Sequence, residues 1–268
     1  EYSANSGSVH AWDEGVAFYT GSLEGVAGSS SGKLVYRLAE KRCANFGTCG
    51  VSGTSTSGTA YVNYELFTLF TEGERRLQRG ECSAVRPLVE QIVSLMTVPL
   101  VQGTLRYAYK IGLVPSDRSV KNAAEGSTFS AAVLPLVANC DATAAETVSN
   151  QMKFGVYPST FSDFVTVKSA LESTYRCLGI TCAQVGALQS SDGTLLASTT
   201  AACTDGTSYF TPIAGYIPGS NVLAHNAIDL DQAAMETALA LSTPGFSTAT
   251  NAYATGGNSQ GSSGFRTL

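Results

Sequence analysis

The sequence predicts an all-α protein made of two duplicated helical bundles with disulfide-closed loops. Three observations carry this. Apolar residues recur at helical spacing over most of the chain. The segments between them are rich in Ser, Thr and Gly. One pattern, an apolar helical stretch that leads into a cysteine-bracketed loop, occurs twice.

Taken in order, residues 13–25 and 34–50 read as helix followed by a Cys43–Cys49 loop. Residues 61–79 place Tyr61, Tyr64, Phe67, Leu69, Phe70 and Leu77 near a 3.6-residue period. The segments 84–110, 119–138, 142–153, 161–177 and 226–242 carry the same signature. Pro99 falls inside the first of these and is expected to kink it. Asp141 and Asp163 are placed as N-caps, and Gly80 and Gly112 as stops. Residues 50–60, 187–208 and 243–264 read as loops, and strand alternation is confined to short pieces near 195–217. The connector LVPSDRS lies within 110–120, so the expected organisation is a first repeat over 1–112, a second over 113–250 and a Ser/Gly-rich tail over 251–268.

The duplication rests on two alignments. DEGVAFYTGSLEG (13–25) parallels AEGSTFSAAVLPLV (124–137), which sets Glu14 against Glu125, Gly15 against Gly126 and Phe18 against Phe129. LVYRLAEKRCANFGTCG (34–50) parallels SALESTYRCLGITCAQVG (169–186). A looser third match, 88–96 with 229–237, sets Glu90 against Asp231.

Composition narrows the classes of function. The 268 residues are 44% hydrophobic and 14% charged, which fits a packed core and not a disordered chain. The net charge is −5 and no basic run occurs, so neither nucleic acid nor an anionic membrane surface is an expected partner. Apolar stretches such as 92–101 are shorter than the ~20 residues a membrane span needs, so none is expected. Of seven cysteines, Cys43 and Cys49 bracket one short loop and Cys177 and Cys182 another. The spacings do not repeat a zinc motif and no His is close. Two small-loop disulfides in an oxidising compartment are the expectation, against buried thiols in a cytosolic protein. Cys140 and Cys203 form the third expected pair, which leaves Cys82 odd.

Most catalytic motifs fail on inspection. GSSSGKL (28–34) lacks the spacing and the Ser or Thr of a phosphate loop. Gly257 to Gly261 spells G-x-S-x-G without a strand before it or a helix after it. His10 and His225 have no Glu three residues upstream, which excludes a di-iron Glu-x-x-His pair. What remains is His10-Ala-Trp-Asp13-Glu14, followed by Glu24. On one helix His10 and Glu14 share a face, and Asp13 and Glu24, eleven residues apart, share the adjacent one. Carboxylates with at most one imidazole are a hard ligand set, suited to iron, manganese or calcium. Pairing with Lys41, Arg42 or Arg106 is the competing account. Glu125, with Asp231, Asp229 or His225, is the counterpart in the second repeat. Arg106, flanked by Tyr107 and Tyr109, is suited to holding an anion or to pairing with Glu14 or Glu65.

HAWDEGVAFYTGSLEG, EKRCANFGTC and VPLVQGTLRYAY, taken together and in this order, carry a resemblance to the low-iron-inducible, iron-assimilating secreted proteins of algae. It runs from about residue 8 to 186. The resemblance implies a periplasmic, secreted or cell-surface protein made under iron limitation, which binds iron (Fe2+ or Fe3+) and is not an enzyme. It further implies a synergistic anion such as bicarbonate and a cell-surface iron transporter or reductase as partner. The metal ligands expected on this basis are His10, Asp13, Glu14 and Glu24, with Glu90, Glu125 and Asp231 added through the duplication. A metal-dependent oxidoreductase and a ligand-free cell-wall protein are the alternatives.

Overall fold

The computed structural model describes residues 6–26, 28, 31–204, 227–241, 243–258, 260–261 and 264–265. The chain forms two units, residues 1–206 and 207–268.

The first unit holds α1 (Ser6–Thr20), α2 (Val35–Phe46), α3 (Tyr61–Gln78), α4 (Arg86–Leu113), α5 (Val120–Cys140), α6 (Ala142–Met152), α7 (Phe164–Glu172), α8 (Tyr175–Leu178) and α9 (Cys182–Val185). The all-α expectation holds. Helix α4 is the axis: α2, α3, α5 and α7 all pack on it. Its Val98, Val101 and Leu105 are almost wholly buried, each side chain contributing about 1.5–3 kcal/mol of hydrophobic burial. By length and composition α4 could cross a membrane. Here it is a core helix whose buried Gln102 donates to the Val185 carbonyl (2.8 Å) and to Thr48 Oγ1 (3.1 Å), so its polar positions are satisfied by neighbouring segments. Pro99 sits inside it.

The caps behave as the residues dictate. Asp141 accepts from the amides of Thr143 and Ala144, and Asp163 from those of Val165 and Thr166. Gly80 follows the end of α3 at φ 75°. Gly112 is not a stop. Helix α4 continues through it to Leu113, and the Ser162 carbonyl lies 2.2 Å from where a Cβ would stand, so the glycine serves a close approach. The stretch expected as one helix over 161–177 is split into α7 and α8.

One core cluster takes residues from both sides of the 112/113 boundary, from Tyr19 and Phe46 to Val167 and Leu188. Equivalence of the two halves is not seen. Helix α6 stands between the segments aligned with 13–25 and 34–50, and the cysteine pairing differs. Cys43–Cys49 forms as expected. The expected Cys177–Cys182 and Cys140–Cys203 bridges do not: Cys140 pairs with Cys177, and Cys182 with Cys203. The reason is local. Leu178 ends α8, Gly179 turns the chain in the left-handed region, and Thr181 caps α9. Cys177 therefore meets the end of α5, which packs on α8. Cys82 is free and exposed.

In the second unit α10 (Ile228–Leu239) packs on α11 (Thr243–Thr255). The expected loop over 243–264 is thus helical up to Thr255. A two-residue antiparallel pair, Gln260–Gly261 with Gly264–Phe265, follows.

Candidate functional site

The expected helical stripe of ligands does not exist as one surface. Gly21, at φ 78°, ends α1, so Glu24 lies on a separate 3-10 turn, Ser22–Glu24. His10 and Glu14 do share a face, 3.4 Å apart, but the two side chains are 77% and 58% exposed. Asp13 is exposed as well. The inward face of α1 is formed by Trp12, Val16 and Tyr19, with the Trp12 indole donating to the Phe70 carbonyl at 2.9 Å.

Glu24 is different: it is 4% exposed. It lines a cavity of about 520 Å³ together with Thr20, Tyr36, Thr59, Asn63, Tyr64 and Phe67. Glycines allow the enclosure. At Gly32 a Cβ would come within 1.6 Å of Glu24 Oε1, so only glycine leaves the carboxylate where it is. At Gly28, φ 78°, a Cβ would lie 3.2 Å from the Tyr36 hydroxyl.

Behind this wall is a hydrogen-bonded layer. Asn63 is 1% exposed. Its Oδ1 accepts from the Tyr19 hydroxyl, and its Nδ2 donates to Glu40 Oε1 (2.6 Å) and to the Tyr36 carbonyl (3.3 Å). Glu40 also accepts from the Ala60 amide at 2.9 Å. Tyr19 packs edge-on to Tyr36, and Tyr36 edge-on to Phe67. Burial raises the pKa of Tyr36, and the Glu40 and Glu24 carboxylates and Tyr64 add to that rise. Burial, then Glu40 and Tyr36, raises that of Tyr19 as well, which keeps it a neutral donor to Asn63. The cavity wall therefore combines a carboxylate, two phenols, an amide and hydroxyls with the apolar Val16, Val26 and Phe67.

The other expected ligands lie elsewhere. Glu90 on α4 is exposed and 3.5 Å from Arg86. It shares a cleft of about 400 Å³ with Glu65, Gln91, Ser94 and Gln184. Glu65 accepts from Gln184 Nε2 at 3.2 Å on both oxygens, and burial pushes its pKa up to about 7 despite that bond. Glu125 on α5 accepts from the Tyr107 hydroxyl and lies 3.9 Å from Lys121. Asp231, in the second unit, is buried and accepts from the amides of Gly257 (3.1 Å) and Asn258 (2.9 Å). His225 lies outside the described residues. Arg106 faces Asp117 and Glu125 and not Glu14 or Glu65. Among the described residues no three His, Cys, Asp or Glu side chains converge as a metal cluster.

The Tyr36 and Tyr64 phenols and the Asn63 amide behind them are not among the expected site residues, because all three sit at helical positions that read equally as core. The spacing of Tyr36 and Glu40, four apart on α2, was the available signal.

No curated protein and no solved structure matches the chain. The model of the low iron-inducible periplasmic protein family matches residues 2–204, almost the whole of the first unit. The chain therefore belongs to the family of low iron-inducible periplasmic proteins.

Proposed function

We propose that the protein binds ferric iron in the periplasm and holds it for assimilation, with Glu24, Tyr36 and Tyr64 as the metal-facing groups of the 520 Å³ cavity. The single observation that carries this reading is the buried Glu24 carboxylate that shares one cavity with the Tyr36 and Tyr64 phenols. Carboxylate and phenol oxygens are hard donors, and ferric iron is a hard cation. A trivalent ion in the cavity would reverse the local electrostatics: its positive charge would outweigh the burial and the Glu40 and Glu24 carboxylates that raise the Tyr36 pKa in the free protein, and would favour the phenolate. Iron uptake thus releases protons, and acidification releases iron. Asn63 and Glu40 act behind the ligands and fix the α2–α3 geometry. Delivery to a cell-surface transporter or reductase, binding without turnover, and a synergistic anion such as bicarbonate on the iron belong to the same proposal.

The test is titration of the metal-free protein with ferric citrate, followed by absorption and by iron analysis after gel filtration. One iron per chain and a visible phenolate-to-iron band are expected. Tyr36→Phe should lose the band. Glu24→Gln should lose more than the roughly 10–100-fold that follows removal of an outer partner alone. Glu14→Gln, at an exposed position, should bind as the parent does. A colourless parent, or parent-like binding by Glu24→Gln, would overturn the assignment.

A further inference from the structure

Arg42 is the residue the iron site leaves unexplained. It stands on α2 among Ala39, Cys43 and Phe46, on the core-facing side, and is 9% exposed. Its Nε and Nη1 atoms are buried and have no hydrogen-bond partner among the described residues. A guanidinium has five donors and no route to neutrality at ordinary pH. Its environment makes the charge worse: burial and the neighbouring Arg106 guanidinium push its pKa down to about 10, with only Glu125 opposing. Arg106, on α4, is itself destabilised as a cation by burial, offset by Asp117 and Glu125.

The nearby carboxylates are already engaged. Glu125 accepts from the Tyr107 hydroxyl and has Lys121 at 3.9 Å. Asp117 has Lys110 at 3.3 Å. Neither carboxylate reaches Arg42 or Arg106 as a salt bridge, so two guanidiniums from two packed helices, the buried Arg42 on α2 and the half-buried Arg106 on α4, remain as excess positive charge. Unfilled donors on one and like charge on the other is the arrangement a small oxyanion relieves, since each fork can donate to it and its charge separates the two cations.

We infer that Arg42 and Arg106 form a binding site for a small carboxylate-type oxyanion, distinct from the iron cavity. Arg42 and Glu40 are two residues apart on α2, roughly 200° around the helix axis. The face that carries the Tyr36–Glu40–Asn63 layer is therefore not the face that carries Arg42. The oxyanion binds with or without iron, and it ties α2 to α4.

The experiment uses the full-length, disulfide-intact, metal-free protein in chloride buffer, which separates it from the iron assignment. Carbon-13 formate is titrated and its line broadening followed by NMR, with thermal melts in parallel. Formate should broaden and saturate, and should raise the melting temperature. Arg106→Gln, at a partly exposed position, should weaken formate at least about tenfold, the loss of a charge-assisted fork. Arg86→Gln, on the exposed side of α4, should leave it unchanged. Sulfate is the second arm: formate binding alone marks a planar monoanion, and equal binding of both marks a general oxyanion site. Circular dichroism confirms that Arg106→Gln is folded at the temperature used. Formate that fails to saturate in the parent, or binds the Arg106→Gln protein equally well, would mean that water alone satisfies Arg42 and would overturn the site.

Discussion

Glu14 and Glu24 are both acidic residues of the same short segment, and their environments set them apart. Glu14 faces water beside His10, where a carboxylate keeps its hydration and an i,i+4 pair contributes only a few tenths of a kcal/mol. Glu24 is enclosed by the turn that Gly21 and Gly25 make possible. Its carboxylate stands with Tyr36 and Tyr64 on the wall of the cavity, where the proposed cation would meet it. Gly32 tests this without removing a ligand. In Gly32→Ala the new Cβ occupies the space of Glu24 Oε1, and the flexible carboxylate swings away. Iron affinity should fall at least about tenfold while the melting temperature changes little, because one side-chain end moves and no backbone does. Iron titration beside a thermal melt checks both halves. An unchanged affinity would place the metal elsewhere. From the sequence, Glu24 was legible as a ligand but its setting was not. The count of eleven residues from Asp13 assumed an unbroken helix, and the glycine that breaks it was read only as part of the pattern.

Helices were legible wherever the apolar period was long, as in α3, α4 and α5, and both Asp caps fell at the expected residues. What the period does not report is where helices come closest. A Cβ at Gly73 would stand 2.1 Å from the Trp12 ring, one at Gly103 2.7 Å from the Phe129 ring, and one at Gly126 2.9 Å from both the Tyr107 Cβ and the Met152 methyl. Gly103 and Gly126 together let α4 and α5 approach, and Tyr107 and Phe129 stack there at 5.6 Å. Gly103→Ala should therefore destabilise by about 1–3 kcal/mol, the usual cost of overpacking, and denaturant unfolding should show it. The α3–α9 contact carries a second expectation. Glu65 has its pKa raised to about 7 by burial, above the unfolded value. The native state then binds a proton the unfolded chain lacks, between pH about 4.5 and 7. Stability from this group is complete at acid pH and is lost as pH rises through 7, by at most about 3 kcal/mol. Tyr61 and Glu90 are the titratable neighbours. Glu65→Gln should keep the bond to Gln184 and flatten the fall in melting temperature between pH 5 and 8. A slope equal to the parent's would assign it to other groups.

At the scale of the molecule, the expected class, compartment and family all hold, because each rests on features spread over many residues: helical period, cysteine content and three motifs in order. The cysteine pairing rested on sequence proximity, and proximity describes only the Cys43–Cys49 loop. Cys140–Cys177 joins the end of α5 to α8 across 37 residues, and Cys182–Cys203 ties α9 to the segment that closes the first unit across 21. In the chain-entropy description a longer closed loop removes more freedom from the unfolded chain. The three bridges then stabilise by about 2 kcal/mol for the six-residue separation, about 4 for the longest and about 3 for the third. The order is testable. Cys140→Ser with Cys177→Ser should lower the melting temperature by about 8–15 °C, and Cys43→Ser with Cys49→Ser by about half as much, at the 2–4 °C per kcal/mol usual for a unit of this size. Peptide mapping without reduction should recover Cys140 linked to Cys177 and Cys182 linked to Cys203. A Cys177–Cys182 peptide would instead restore the small loop, detach α8 from α5, and remove the covalent closure of the first unit. Equal losses in the two double variants, with the mapped pairing intact, would mean that strain or residual structure in the unfolded chain, and not loop length, sets what each bridge contributes.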